Sequence, residues 1–131
     1  MKLGNRTTLT AIPRKTIDVE FPETDTCYRL REMSGTERDK FEVAAFKDGP
    51  DGKRVVDALY LRARLVALCM VGEDGERLYA DDEIAQLSDA VPASTLGKLW
   101  EAAQTLNGLD ADAVETAAKN SDAPAGASPS V

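Results

Sequence analysis

Four arginines come in two close pairs, Arg29 with Arg31 and Arg62 with Arg64. Guanidinium groups brought together by folding could converge on an anion. The chain carries 23 acidic residues against 16 basic ones, and in so acidic a chain arginines on separate elements read first as ion-paired surface groups. The acidic run from Glu73 to Glu83 invites a calcium test. An EF-hand loop needs D-x-[DN]-x-[DN]-G with a glutamate at its twelfth position. Here Met70, Gly72 and Asp74 fall at the ligand positions before Gly75, so the pattern fails and the acids read as helix caps and turns. Histidine is absent, which removes the commonest general base and the commonest metal ligand together. The two cysteines, Cys27 and Cys69, form no C-x-x-C pair, so zinc and thioredoxin-type chemistry lack their spacing. GPDG and GEDG are flanked as turns rather than phosphate loops, and no G-x-S-x-G occurs. A carboxylate pair assembled only by folding is invisible at this level. The residues point to a chain that is not an enzyme and takes no cofactor and no metal.

The element expected to position everything else is the stretch Arg54–Val71, RVVDALYLRARLVALCMV. Its composition favours a helix of about five turns. At 100° per residue Val55, Leu59, Ala63, Val66 and Met70 share one side, and Ala58, Leu61, Leu65 and Leu68 another. Two apolar faces mean burial on both. Either this is the central helix of the domain, the reading preferred here, or one face belongs to a partner. Too short and too charged to span a membrane, the stretch also contains Cys69, a small core residue by its setting.

Before it, the spacing predicts a small antiparallel sheet of about three strands. TTLTAI from Thr7 looks β-like, Pro13–Lys15 a turn, and TIDVEF a half-buried strand with Ile17, Val19 and Phe21 alternating with Asp18 and Glu20. PETDT is a second turn, and CYRLRE a third strand. Ser34 and Glu37 fit the S-x-x-E capping box of a helix from Gly35 to about Phe46, which the loop KDGPDGK then stops. After the central helix, Gly72 is placed to end it in the left-handed conformation. Asp74-Gly75 is a turn, and Asp81 or Asp82 caps a short helix carrying Ile84 and Leu87. Past Pro92, Leu96, Leu99, Trp100, Ala103 and Leu106 form one apolar helix face, closed by Asn107-Gly108. Trp100 reads as a core anchor rather than a ligand platform. Asp110 caps a last short helix, with Val114 and Ala117 facing in.

The fold class expected is α+β: a small N-terminal antiparallel sheet followed by a four- to five-helix bundle, one domain over residues 1–119, with a disordered tail at 120–131 rich in Pro, Gly and Ser. Hydrophobic residues make up 43% and charged residues 30% of the 131, the balance of a soluble globular protein. A net charge of −7, with no run of basic residues to offset it, opposes binding to nucleic acid or an anionic membrane. No secretory signal precedes the cysteines, so free thiols in a reducing compartment are expected.

Three segments together resemble a known family: YRLREMSGTERDKFE, then LRARLVALCMVGEDGERLYADDEIAQL, then LWEAAQTLNGL. In this order they are similar to the tail assembly chaperones of long-tailed phages and prophages. The resemblance spans roughly Thr7 to Lys119, and its motifs are characteristic in combination rather than singly. It implies a non-enzymatic protein of the host bacterial cytoplasm, absent from the mature virion. Such a protein binds the tape measure protein, keeps that long helical chain soluble and promotes tail tube assembly around it. A longer frameshifted form would recruit the tail tube protein. No binding residues transfer with the resemblance. From the residues themselves, Leu61, Leu65 and Leu68 are the extra face that a client, or another copy in a homo-oligomer, would use. The competing reading is that all three fill the core. A different function class, a small acidic regulatory adaptor or antitoxin-like protein with one compact partner, fits the same composition.

Overall fold

The computed structural model describes residues 1–109. In chain order these form helix α1 (Arg6–Thr10), strands β1 (Thr16–Phe21) and β2 (Thr26–Arg31), helix α2 (Gly35–Ala44), strands β3 (Phe46–Asp48) and β4 (Arg54–Val56), helix α3 (Leu61–Cys69), strand β5 (Met70–Val71), and helices α4 (Ile84–Ala90) and α5 (Ala93–Leu106). The class is α+β. An antiparallel sheet of order β1-β2-β5 is covered by α5, and β3 and β4 make a separate hairpin.

Period-two patterning builds the sheet. Ile17 faces Leu30 and Val19 faces Tyr28 across the β1–β2 ladder, and cross-strand partners share a face. Val19, Phe21 and Leu30 are buried beneath the helices. On the other face Arg29 grips Asp18 through two bonds, at 2.8 and 3.1 Å. That bond lowers the Asp18 pKa; desolvation opposes it, and the guanidinium charge adds to the lowering. The β1–β2 turn passes through Asp25 at φ 54°, a left-handed position that aspartate tolerates better than most residues.

Helix α3 is the hub. It packs against α2, α4, α5 and β2, and Ala63 and Leu65 to Cys69 are all buried. Around it the core gathers Phe41, Ile84, Leu87, Leu96, Leu99 and Trp100. Trp100 is thus a core anchor. The expected capping box starts α2: Glu37 N–H donates to Ser34 Oγ at 3.2 Å, and Ser34 N–H to Glu37 Oε1 at 2.8 Å. At the end of α5, Asn107 ties three elements. Its Oδ1 accepts from Met33 N–H at 2.8 Å, its Nδ2 donates to Ala103 O at 2.8 Å and reaches Cys69 Sγ at 3.4 Å. Gly108 then turns left-handed at φ 66° and Leu109 N–H returns to Gln104 O, a Schellman-type ending.

Several sequence expectations are corrected. Thr7 to Thr10 lie in α1 and not in a strand; the third strand is β5, recruited from beyond α3. The stretch Arg54–Val71 is no single helix: it is strand, loop, helix and strand, and only Leu61–Cys69 is helical. Its β-branched ends pair with neighbours, β4 with β3 and β5 with β2. The KDGPDGK loop is accordingly the turn of a hairpin, and α2 stops at Ala44. Gly72 does not end a helix in the left-handed conformation; Met70 leaves α3 extended at φ −78°, ψ 124°. Neither Asp81 nor Asp82 caps α4. Glu83 reaches back instead, accepting from Ala80 N–H at 2.8 Å, in a 3₁₀ turn that leads into the helix. The short helix expected from Asp110 and the tail at 120–131 lie outside the described residues.

Candidate functional site

The four arginines do not converge. Arg29 is held by Asp18, Arg31 donates to Gly75 O at 3.1 Å, and Arg64 donates to Ala44 O at 3.4 Å. Arg62 stands exposed on α3. Three acids of the run are spent locally. Asp74 Oδ1 accepts from Glu76 N–H at 3.0 Å, Asp81 pairs with Arg77 at 2.9 Å, and Glu83 caps its turn. Among the described residues no cluster of three or more potential ligands could hold a metal ion. Both cysteines are free. Cys69 is buried, and burial pushes its thiol up to about 11, partly offset by the Asn107 amide. Such a thiol is inert. No helix among the described residues is long and apolar enough to cross a membrane.

The leucines singled out in the sequence go inward. Leu65 is 0% and Leu68 4% exposed, and Leu61 is half-buried against the same core. Within α3 the apolar side chains of both expected faces are buried in the domain, Ala63 and Val66 from one and Leu65 and Leu68 from the other, while Leu59 of the first face stands exposed. In this conformation Leu65 and Leu68 present nothing to a partner.

The available surface is elsewhere. Strand β1 is the sheet edge. Lys15 O accepts from Glu32 N–H and Glu20 O accepts from Lys98 Nζ. Strand alternation therefore turns the N–H and C=O of Thr16 and Asp18 outward, as at Glu20. Between this edge and α5 runs an open groove of about 840 Å³, with Ile17, Val19, Ala102 and Leu106 among its lining and Lys98 and Glu101 beside them. Lys98 is engaged there, its ammonium 4.6 Å from the centre of the Phe21 ring. Large apolar side chains also stand free: Leu3, Leu9 and Ile12 in the N-terminal segment, and Val43 and Leu59 on the body. No contiguous basic run marks the N-terminal segment, which hides its charge: residues 1–17 hold four basic side chains and no acidic one.

No family model matches the chain, and no curated protein matches it. Among solved structures it is similar to the tail assembly chaperone of bacteriophage HK97, with a TM-score of 0.54 and 18% identity, covering 71% of this chain and 85% of that one. At that identity the likeness is one of fold. The chain thus has a phage tail assembly chaperone-like fold, the fold that its sequence resemblance implies.

Proposed function

We propose that the chain is a non-enzymatic tail assembly chaperone, which binds the tape measure protein, keeps it soluble and promotes assembly of the tail tube around it. The observation that carries this reading is the shared fold with the bacteriophage HK97 tail assembly chaperone. The chemistry of the chain is compatible with it: a net charge of −7 favours solubility of a complex with an apolar client. The client would be held before tails form, in the host cytoplasm, and the chaperone would be absent from the mature virion. Contacts with the client fall to exposed apolar side chains in place of Leu65 and Leu68. Val43 at 72% and Leu59 at 65% exposure are the most exposed large ones beyond residue 12 among the described residues.

Co-expression with the long tape measure protein of the same genome tests the proposal. The tape measure is expected in the soluble fraction only with this chain, and to co-purify with it. The pair Val43→Asp and Leu59→Asp should abolish co-purification while leaving the circular dichroism unchanged. A tape measure protein that stays insoluble, or is soluble alone, overturns the reading and favours an adaptor with a compact partner.

A further inference from the structure

The sheet is covered unevenly. Ile17, Val19 and Phe21 alternate onto the face beneath α5, yet Val19 and Phe21 are buried and Ile17 stays 44% exposed. The gap is the open groove of about 840 Å³ between β1 and α5, with Ile17 and Val19 on one wall and Ala102 and Leu106 on the other. Lys15 and Lys98 stand there beside Asp18 and Glu101. Opposite charges in equal number leave shape and apolarity to select the occupant.

The chain itself arrives at this groove. Leu106 lines it, and the described residues end at Leu109. By then the backbone has already reversed. Gly108 is left-handed, its N–H donates to Thr105 O at 3.2 Å, and Leu109 N–H donates to Gln104 O at 2.7 Å. A connection this short joins helices that lie side by side and antiparallel. The sequence that follows is DADAVETAAKN, residues 110–120. Asp110 is an N-cap type. Ala111, Val114, Ala117 and Ala118 fall on one helical face, and Glu115 and Lys119 form an i,i+4 pair on another. The apolar face consists of small side chains and spans about 11 Å along its axis; the α5 wall of the groove, Lys98 to Leu106, spans about 12 Å. A helix this short is marginal alone in water. Ordering it takes a surface against which its apolar face is buried.

We infer that residues 111–119 form a helix that seats antiparallel to α5 in the groove of the same chain, with Val114 opposite Ala102 and over Ile17. The edge strand β1 then gains a helical cover, one of the standard protections of a sheet edge. Residue 120 emerges at the Lys98 end of the groove, beside the end of β1, where Lys98 donates to Glu20 O. The groove is thereby withdrawn from other partners, which leaves the exposed side chains of α2 and of the segment before α3 to meet them.

Hydrogen exchange on the full chain, followed by mass spectrometry of its peptides, tests this. Peptides covering 111–119 are expected to exchange about tenfold or more slowly than the same residues in a free peptide. The groove variant Ile17→Asp and the segment variant Val114→Asp should each return them to the free-peptide rate, with the peptides of α3 unchanged. A second measurement fixes the place. In a Cys27→Ser background, a short bismaleimide should bridge Ala102→Cys/Val114→Cys within one chain about tenfold faster than Val43→Cys/Val114→Cys, whose first position stands on α2. Cys69 is buried and takes no part. Free-peptide exchange at 111–119 in the wild type overturns the inference. So does protection that survives Ile17→Asp, a bridge formed equally fast from residue 43, or one formed between two copies.

Discussion

Helices α1 and α3 invert one another. Helix α1 begins with a reciprocal capping box between Asn5 and Thr8 and buries none of its five residues. Helix α3 begins at Tyr60, forced left-handed at φ 63° without any side-chain cap, and buries six of its nine. The better-capped helix is the one with nothing to hold it to the domain. Burial of a large side chain is worth about 1.5–3 kcal/mol, while a cap is worth about 1 kcal/mol. Six buried residues therefore outweigh a missing cap and a strained entry, whereas a complete cap cannot substitute for a core.

Truncation should give the widest separation between the two helices. Leu65→Ala removes a fully buried side chain and is expected to cost about 2–5 kcal/mol. Leu9→Ala, at 69% exposure, should stay within about 0.5 kcal/mol. Urea unfolding of the dilute, monomeric chain measures both, and equal losses would break the contrast. Next comes pH. The Cys69 thiol titrates at about 11 in the fold against 9.0 when free of it. Because the folded value is raised, the unfolded chain loses its proton first. Stability is whole below pH 9 and falls as pH rises toward 11, by no more than about 1.4 kcal/mol per unit. Cys69→Ala should flatten that part of the curve; a decline that persists would place its source elsewhere than α3. Smallest are the caps. Ser34→Ala, at the start of the half-embedded α2, should cost about 1 kcal/mol. Asn5→Ala should leave the unfolding midpoint where it is, since α1 unfolds without disturbing the core. A matching loss at Asn5 would show that α1 is part of the cooperative unit after all.

Legibility in the sequence followed the same division. Signals whose meaning is local and complete were readable: the Ser34–Glu37 box, the Val19/Phe21 part of the strand alternation (Ile17 stays exposed at the sheet edge), and the α5 face from Leu96 to Ala103 are as the spacing implies. Failures came where a segment's state is set by distant residues. Thr7–Ile12 is rich in β-branched residues, yet its first residues are helical, because Asn5 and Thr8 form a cap that propensity ignores. Arg54–Val71 shows no glycine or proline, so nothing marked its division into β4, α3 and β5. Those strands exist because β3 and β2 offer edges to pair with, information held elsewhere in the chain. For the candidate surface the limit was sharper still. Leu61, Leu65 and Leu68 carry the same pattern whether a core or a client covers them, and only the packing tells the two apart.

Asn107 is followed by Gly108, and in a free peptide that pair is a chemical clock. The glycine N–H attacks the asparagine amide, ammonia leaves, and the side chain ages to aspartate or isoaspartate. In this fold the clock is held. The Asn107 amide is fixed by Met33, Ala103 and Cys69, and its own carbonyl accepts from Arg38 at 3.2 Å. Conversion to aspartate would also set a carboxylate oxygen against the Ala103 carbonyl, so the folded chain resists the product as well as the step. Loss of ammonia at Asn107, followed on the peptide that holds it in an aged sample, thus records how much time the α5 terminus has spent undone.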